Sequence, residues 1–160
     1  MGGYTQSTIL PLTFTDDAFS GGVAADVSNY NKSNLAISFF QEITVASSGA
    51  DYTSIQAAIN AASKDDVILL SAETFTEHIE INKQLTIKGK GIDKTIIQGA
   101  ASYAAAYQRV VWVYTSPTTD ITTFSNLTIR YGKLVNNNDW GAGISSYTPL
   151  VLNYCKVYRL

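Results

Sequence analysis

The chain has 160 residues, of which 46% are hydrophobic and 15% charged, with a net charge of −2. A chain of this length fits one domain, or one domain plus an arm, and can bury roughly 70% of its unfolded surface. The balance of charges excludes the basic footprint of a nucleic-acid binder. No run approaches the roughly 18 apolar residues of a membrane-spanning helix.

Residues 1–41 stand apart in composition. They hold Gly2-Gly3, Asp16-Asp17, Gly21-Gly22 and an Asn-rich stretch from Asn29 to Asn34, with short apolar runs at 8–12 and 35–40. The first twenty residues lack the basic and long apolar regions of a secretory signal. This part is predicted as an N-terminal arm or the end of a preceding domain. The run Leu35-Ala-Ile-Ser-Phe-Phe40 is its candidate edge strand.

A helix is predicted over about 54–62. Thr53 is the expected N-cap, and Gln56 three residues on completes a capping box. Ile55, Ala58, Ile59 and Ala62 recur at helical spacing and form one apolar stripe. Lys64-Asp65-Asp66 reads as a polar turn, and Val67-Ile-Leu-Leu70 as a short strand buried on both faces.

Short β-rich runs follow. Gln84-Leu-Thr-Ile-Lys88 and Asn126-Leu-Thr-Ile-Arg130 match each other, with Val110-Val-Trp-Val113 between them. That spacing fits two coils of about 21 residues each, and repeats on this scale signal stacked solenoids. Tyr154-Cys-Lys-Val157 aligns as a third copy of 126–129 after an inserted loop at 134–140. A doubly wound α/β fold would need a long helix after each strand. The only other helix-like run, Ala100–Ala106, is too short. The expected fold is therefore all-β: a right-handed parallel β-helix over 42–160 with an N-terminal capping helix, truncated at its C-terminal end. Tyr154–Leu160 would then leave an open edge, which recruits further strands and predicts self-association.

One series of segments resembles a known group of proteins. It comprises Ile43-Thr-Val45, Asp51-Tyr-Thr-Ser-Ile-Gln-Ala-Ala-Ile-Asn-Ala-Ala62, Asp66-Val-Ile-Leu-Leu70, Thr74-Phe-Thr-Glu-His-Ile-Glu-Ile81, Leu85-Thr-Ile-Lys-Gly89 and Thr95-Ile-Ile-Gln-Gly99. In this order they resemble the N-terminal cap of the pectin lyase-like superfamily, pectin methylesterases above all. The later Leu127-Thr-Ile-Arg-Tyr-Gly132 and Gly141-Ala-Gly-Ile144 are more similar to bacterial β-helix surface proteins. The resemblance implies a secreted or cell-surface location and a polysaccharide or cell-surface partner. It departs from the esterases at 140–145, where their glutamine is replaced by Trp140, Gly141 and Ala142. Their catalytic aspartates and arginine belong to coils beyond Leu160, so no catalytic residue is carried over.

Read as chemistry, the chain offers few constellations. Glu73, Glu77 and Glu80 lie near His78, the one histidine. Two carboxylates act on a sugar only at a fixed separation, and strand alternation sends Glu77 and His78 to opposite faces. A solvated outer face is expected there. Asn136, Asn137, Asn138, Asp139 and Trp140 form the candidate ligand-binding loop, with oxygens for hydrogen bonding and an indole for stacking on a sugar. Their order matches no calcium loop, so no metal and no cofactor is expected. Asp120, Arg109 and Arg130 are too scattered in sequence to form a named constellation, and Arg130 is expected at the surface. Asn31-Lys-Ser33 and Asn126-Leu-Thr128 fit the glycosylation sequon. Cys155, the single cysteine, alternates with Asn153 and Val157 and is expected to point inward as an inert thiol.

The function expected is a non-catalytic part of a secreted or surface protein, serving as scaffold, adhesion or glycan-contact module. The alternative is the N-terminal portion of a carbohydrate-active enzyme. A third is a module similar to a phage tailspike.

Overall fold

The structure is a computed structural model and describes residues 40–134 and 141–158. These residues all belong to the unit Ser38–Leu160. The expected arm at 1–41, its edge strand and the Asn136–Trp140 loop lie outside the described residues, apart from Phe40 and Gln41.

Ten strands and one helix are described: β1 (Glu42–Val45), α1 (Ile55–Ala61), β2 (Val67–Leu70), β3 (Thr74–Thr76), β4 (Ile79–Ile81), β5 (Thr86–Lys88), β6 (Ile96–Gln98), β7 (Val111–Val113), β8 (Thr122–Arg130), β9 (Ile144–Ser146) and β10 (Leu150–Tyr158). Every pairing among them is parallel. The larger sheet runs β1-β2-β5-β8-β6-β3, with β10 added on β8. The smaller sheet runs β4-β7-β9.

This arrangement corrects the expected fold. The described residues form strand-dominated parallel sheets with one short helix, and their strand pairing does not define a closed solenoid. The apparent repeat placed 110–113 between 84–88 and 126–130, but β7 belongs to the small sheet and β5 pairs with β8 directly. Thr86 pairs with Thr123, in the first half of β8, while Thr128 pairs with Ile96 of β6. Similar Leu-Thr-Ile runs present similar inward side chains, but register is set by backbone hydrogen bonding along the strand. The third copy does pair as aligned: Cys155, Lys156 and Val157 sit on Leu127, Thr128 and Ile129.

β8 serves two neighbours because it bends. Asn126 takes a left-handed φ of 55°, and Tyr154, beside it on β10, takes 51°. Asparagine tolerates this region better than most residues. The bend aims Thr123–Ser125 at β5 and Thr128–Arg130 at β6. Asn126 is thus an interior strand residue whose carbonyl accepts the Gly91 N–H at 2.9 Å.

Alternation then builds the core. Ile68, Leu70, Ile87, Phe124, Leu127, Ile97 and Ile129 of the large sheet are fully buried, together with Ile79, Ile81, Val111 and Val113 of the small one. β2 buries one face only, since Val67 and Leu69 stay half-exposed. This corrects the expectation of a doubly buried strand. Helix α1 packs on β1, β2 and β4 through its predicted stripe of Ile55, Ala58, Ile59 and Ala62. Its N-cap is Ser54 rather than Thr53: the Ser54 hydroxyl accepts the Ala57 N–H at 3.3 Å. The run 100–106 forms turns and no helix. No helix among the described residues is long and apolar enough to cross a membrane.

Candidate functional site: a groove on the small sheet

The small sheet has one buried and one open face. Along β4, Ile79 and Ile81 point into the core, so Glu80 between them points out. The same alternation buries Val111 and Val113 of β7 and turns Trp112 outward. Register places Glu80, Trp112 and Ser145 in one row across the three strands. Neighbouring parallel strands lie about 4.8 Å apart, so the row forms a short track across the sheet.

Two cavities flank this track. One encloses about 360 Å³ among His78, Arg109, Trp112, Lys133, Leu134 and Tyr147. The other encloses about 430 Å³ among Gln56, Asn60, Asn82 and Tyr114. His78, Glu80 and Gln108 line both, so the two join as one groove. Each cavity alone falls within the usual range for small-molecule sites, about 300–1,000 Å³.

Trp112, Tyr114 and Tyr147 set aromatic rings among the polar groups of the walls. Trp112 and Tyr114 lie with centroids 4.7 Å apart and planes tilted by 45°. The Arg109 guanidinium stands 5.6 Å from the Trp112 ring centre. Tyr147, which lines the first cavity, is 72% exposed, and Tyr107 nearby is 60% exposed. The Tyr107 and His78 rings meet edge to face with centroids 5.0 Å apart. Trp112 Nε1 is buried with no hydrogen-bond partner among the described residues.

The polar groups are held from behind. His78 is anchored by its Nδ1, 2.6 Å from the Arg109 carbonyl. The Gln56 side chain imitates a strand neighbour: its Oε1 accepts the Glu80 N–H at 2.7 Å, and its Nε2 donates to the Glu80 carbonyl at 3.2 Å. The Tyr114 hydroxyl donates to Glu80 Oε2 at 3.2 Å. Burial first, and then this bond to Glu80, raise the Tyr114 phenol above its ordinary pKa.

The three glutamates near His78 therefore have different roles. Glu77 accepts from Ser54 Oγ at 2.8 Å, the Ile55 N–H at 3.0 Å and the Gln56 N–H at 3.2 Å, so it seals the start of α1. Glu73 accepts the Ser47 N–H at 3.0 Å. Only Glu80 faces the groove. The structure separates the other scattered candidates. Arg109 joins the groove, Asp120 takes Lys64 at 2.6 Å, and Arg130 donates through Nε to Gln98 at 3.0 Å while lying over Tyr131.

The predicted ligand loop of Asn136, Asn137, Asn138, Asp139 and Trp140 falls outside the described residues. Leu134, close before it in the chain, lines the first cavity. Sequence reading missed Trp112, Tyr114, Lys133 and Tyr147. Trp112 carried a usable signal, since a tryptophan between two buried valines of a short strand must face out. Tyr114 and Tyr147 directly follow β7 and β9, and Lys133 comes from the loop after β8. Among the described residues no group of three His, Cys, Asp or Glu side chains is placed to hold a metal ion.

In comparison with known proteins, no family model matches the chain and no curated protein matches it.

Proposed function

We propose that this chain is a non-catalytic glycan-contact module of a secreted or cell-surface protein. The observation that carries this reading is the groove lined by Trp112, Tyr114 and Tyr147 with Glu80, Gln108 and Arg109 interleaved. Sugar rings offer apolar C–H faces to aromatic rings and hydroxyls to amides and carboxylates, and this wall supplies both. Two of the three candidate carboxylates, Glu73 and Glu77, are engaged in holding the backbone. Among the described residues Glu80 is the one carboxylate that lines the groove, whereas glycoside hydrolysis ordinarily uses two.

Titration of the full chain with a panel of soluble polysaccharides, followed by tryptophan fluorescence and calorimetry, tests the reading. At least one glycan is expected to bind saturably. Tyr147→Ala should weaken it about five- to tenfold, the worth of one aromatic contact of about 1 kcal/mol, and leave the unfolding curve unchanged because the ring is exposed. Absence of binding across the panel refutes the proposal.

We further propose that the module self-associates through β10. Among the described residues β10 pairs with β8 alone. Its Leu152 and Val157 are each 43% exposed, whereas their β8 neighbours Phe124 and Ile129 are fully buried.

A further inference from the structure

Four residues of β10 continue rows of buried residues on β8. Register places Leu150 on Thr122, Leu152 on Phe124, Cys155 on Leu127 and Val157 on Ile129. All four β8 residues are fully buried, so their β10 neighbours share the core-facing side of the sheet. Leu150 and Cys155 pack against the core, while Leu152 and Val157 remain exposed. Strict alternation would put residues 152 and 155 on opposite faces. The left-handed turn at Tyr154 absorbs the extra residue and returns Cys155 and Val157 to the core side. The core-facing pattern therefore reads the same in both directions from the Asn153–Tyr154 bond. Leu152 and Cys155 are equidistant from that bond, and so are Leu150 and Val157.

We infer that two copies of the chain pair through β10 in antiparallel fashion, about a two-fold axis that passes between Asn153 and Tyr154 normal to the sheet. This rests on the self-association through β10 proposed above and adds the orientation and register of the partner. A two-fold interface uses one patch twice, so the patch must complement itself. In this register Leu152 lies opposite Cys155 of the second copy, and Leu150 opposite Val157 of the second copy. An axis normal to the sheet keeps the core side of both copies on the same side, so the four apolar residues of each strand cover those of the other. No other antiparallel register opposes all four. The one charge of the strand, Lys156, decides against parallel stacking in register. There it would lie against Lys156 of the second copy, and like charges directly opposite destabilise a sheet. Antiparallel pairing sets Lys156, which donates to Asp93 at 3.0 Å, opposite Val151 of the second copy. The pairing uses up the edge of β10 that β8 leaves open, so association through it stops at two copies.

Disulfide trapping in the full chain tests the register. Directly opposite residues of an antiparallel pair have Cα atoms about 4.5–5.5 Å apart, which a disulfide can span. The unaltered chain, whose one thiol is Cys155, is mixed with a chain carrying both Leu152→Cys and Cys155→Ser, and the mixture is oxidised with diamide. Non-reducing electrophoresis and mass spectrometry are expected to show covalent dimers with one chain of each kind, in several-fold excess over either self-pair, because neither thiol faces its own kind. Sedimentation equilibrium of the unaltered chain under reducing conditions is expected to level off at twice the monomer mass. Self-paired dimers as the main product, a statistical mixture of the three dimers, or growth beyond the dimer overturns the two-fold pairing and leaves self-association standing. Monomer at every concentration overturns both.

Discussion

Glu77 shows how one side chain ties the helix to the sheets. A carboxylate at a helix start answers N–H groups that have no partner within the helix and complements the positive end of its dipole. Here it takes two of those N–H groups and the Ser54 hydroxyl. Glu77→Ala is expected to cost about 1–3 kcal/mol, read as a lower midpoint in urea unfolding with the groove's ligand affinity retained. Cys155 gives a second residue-scale prediction. It is half-buried against the core, and burial outweighs the nearby backbone hydrogen bonds and pushes its thiol pKa up. A raised pKa means that the neutral thiol is the favoured form in the folded chain. Its contribution to stability is complete below the ordinary thiol value and is lost as pH rises through the folded value. The rate of alkylation by iodoacetamide should therefore reach half its maximum at a higher pH in the folded chain than in urea.

At the scale of elements, the close approach of neighbouring strands depends on glycine at the turn after β5. A Cβ on Gly89 would meet the Thr95 and Leu127 Cβ atoms at 2.8 and 2.9 Å and would overlap the Asn126 carbonyl. The Gly89 N–H also donates to the Ser125 carbonyl at 2.8 Å, so the segment cannot move away without losing that bond. Gly89→Ala is expected to destabilise by about 1–3 kcal/mol, the usual cost of overpacking. Thermal unfolding measures it, and an unchanged midpoint would contradict the packing described. This constraint was not legible from Gly89-Lys-Gly91 as a sequence, which reads only as a turn. The helix was legible, because its stripe of Ile55, Ala58 and Ile59 repeats at helical spacing and finds a core. Its cap was misplaced by one residue because Thr53 and Ser54 are both competent caps. The choice between them follows Glu77, which reaches Ser54 from the link between β3 and β4.

For the whole molecule, the exposed apolar residues of β10 set the expected behaviour in solution. Leu152 continues the inward row of Phe124 without the cover that Phe124 enjoys. Edge strands of this kind pair with other chains unless charge blocks them. Sedimentation velocity across a concentration series is expected to show a reversible increase in mass, and Leu152→Lys should shift the chain toward monomer. Concentration-independent monomer for the unaltered chain would show that β10 does not mediate association. The same row-by-row logic explains the small sheet. Glu80, Trp112 and Ser145 come from runs far apart in the chain, and parallel pairing alone brings them into line.

By itself the sequence determined the strand-rich character, the helix at 55–61 and its inward stripe, because period and hydrophobicity are local properties of a chain. It also determined that Cys155, Lys156 and Val157 lie against Leu127, Thr128 and Ile129. Tertiary structure alone decided that the described strands divide between two sheets. It alone separated Glu80 from Glu73 and Glu77, and brought Lys133 and Tyr147 to Trp112. Those outcomes depend on backbone hydrogen bonds and side-chain contacts between residues distant in sequence, and no local pattern records which of several similar runs will pair.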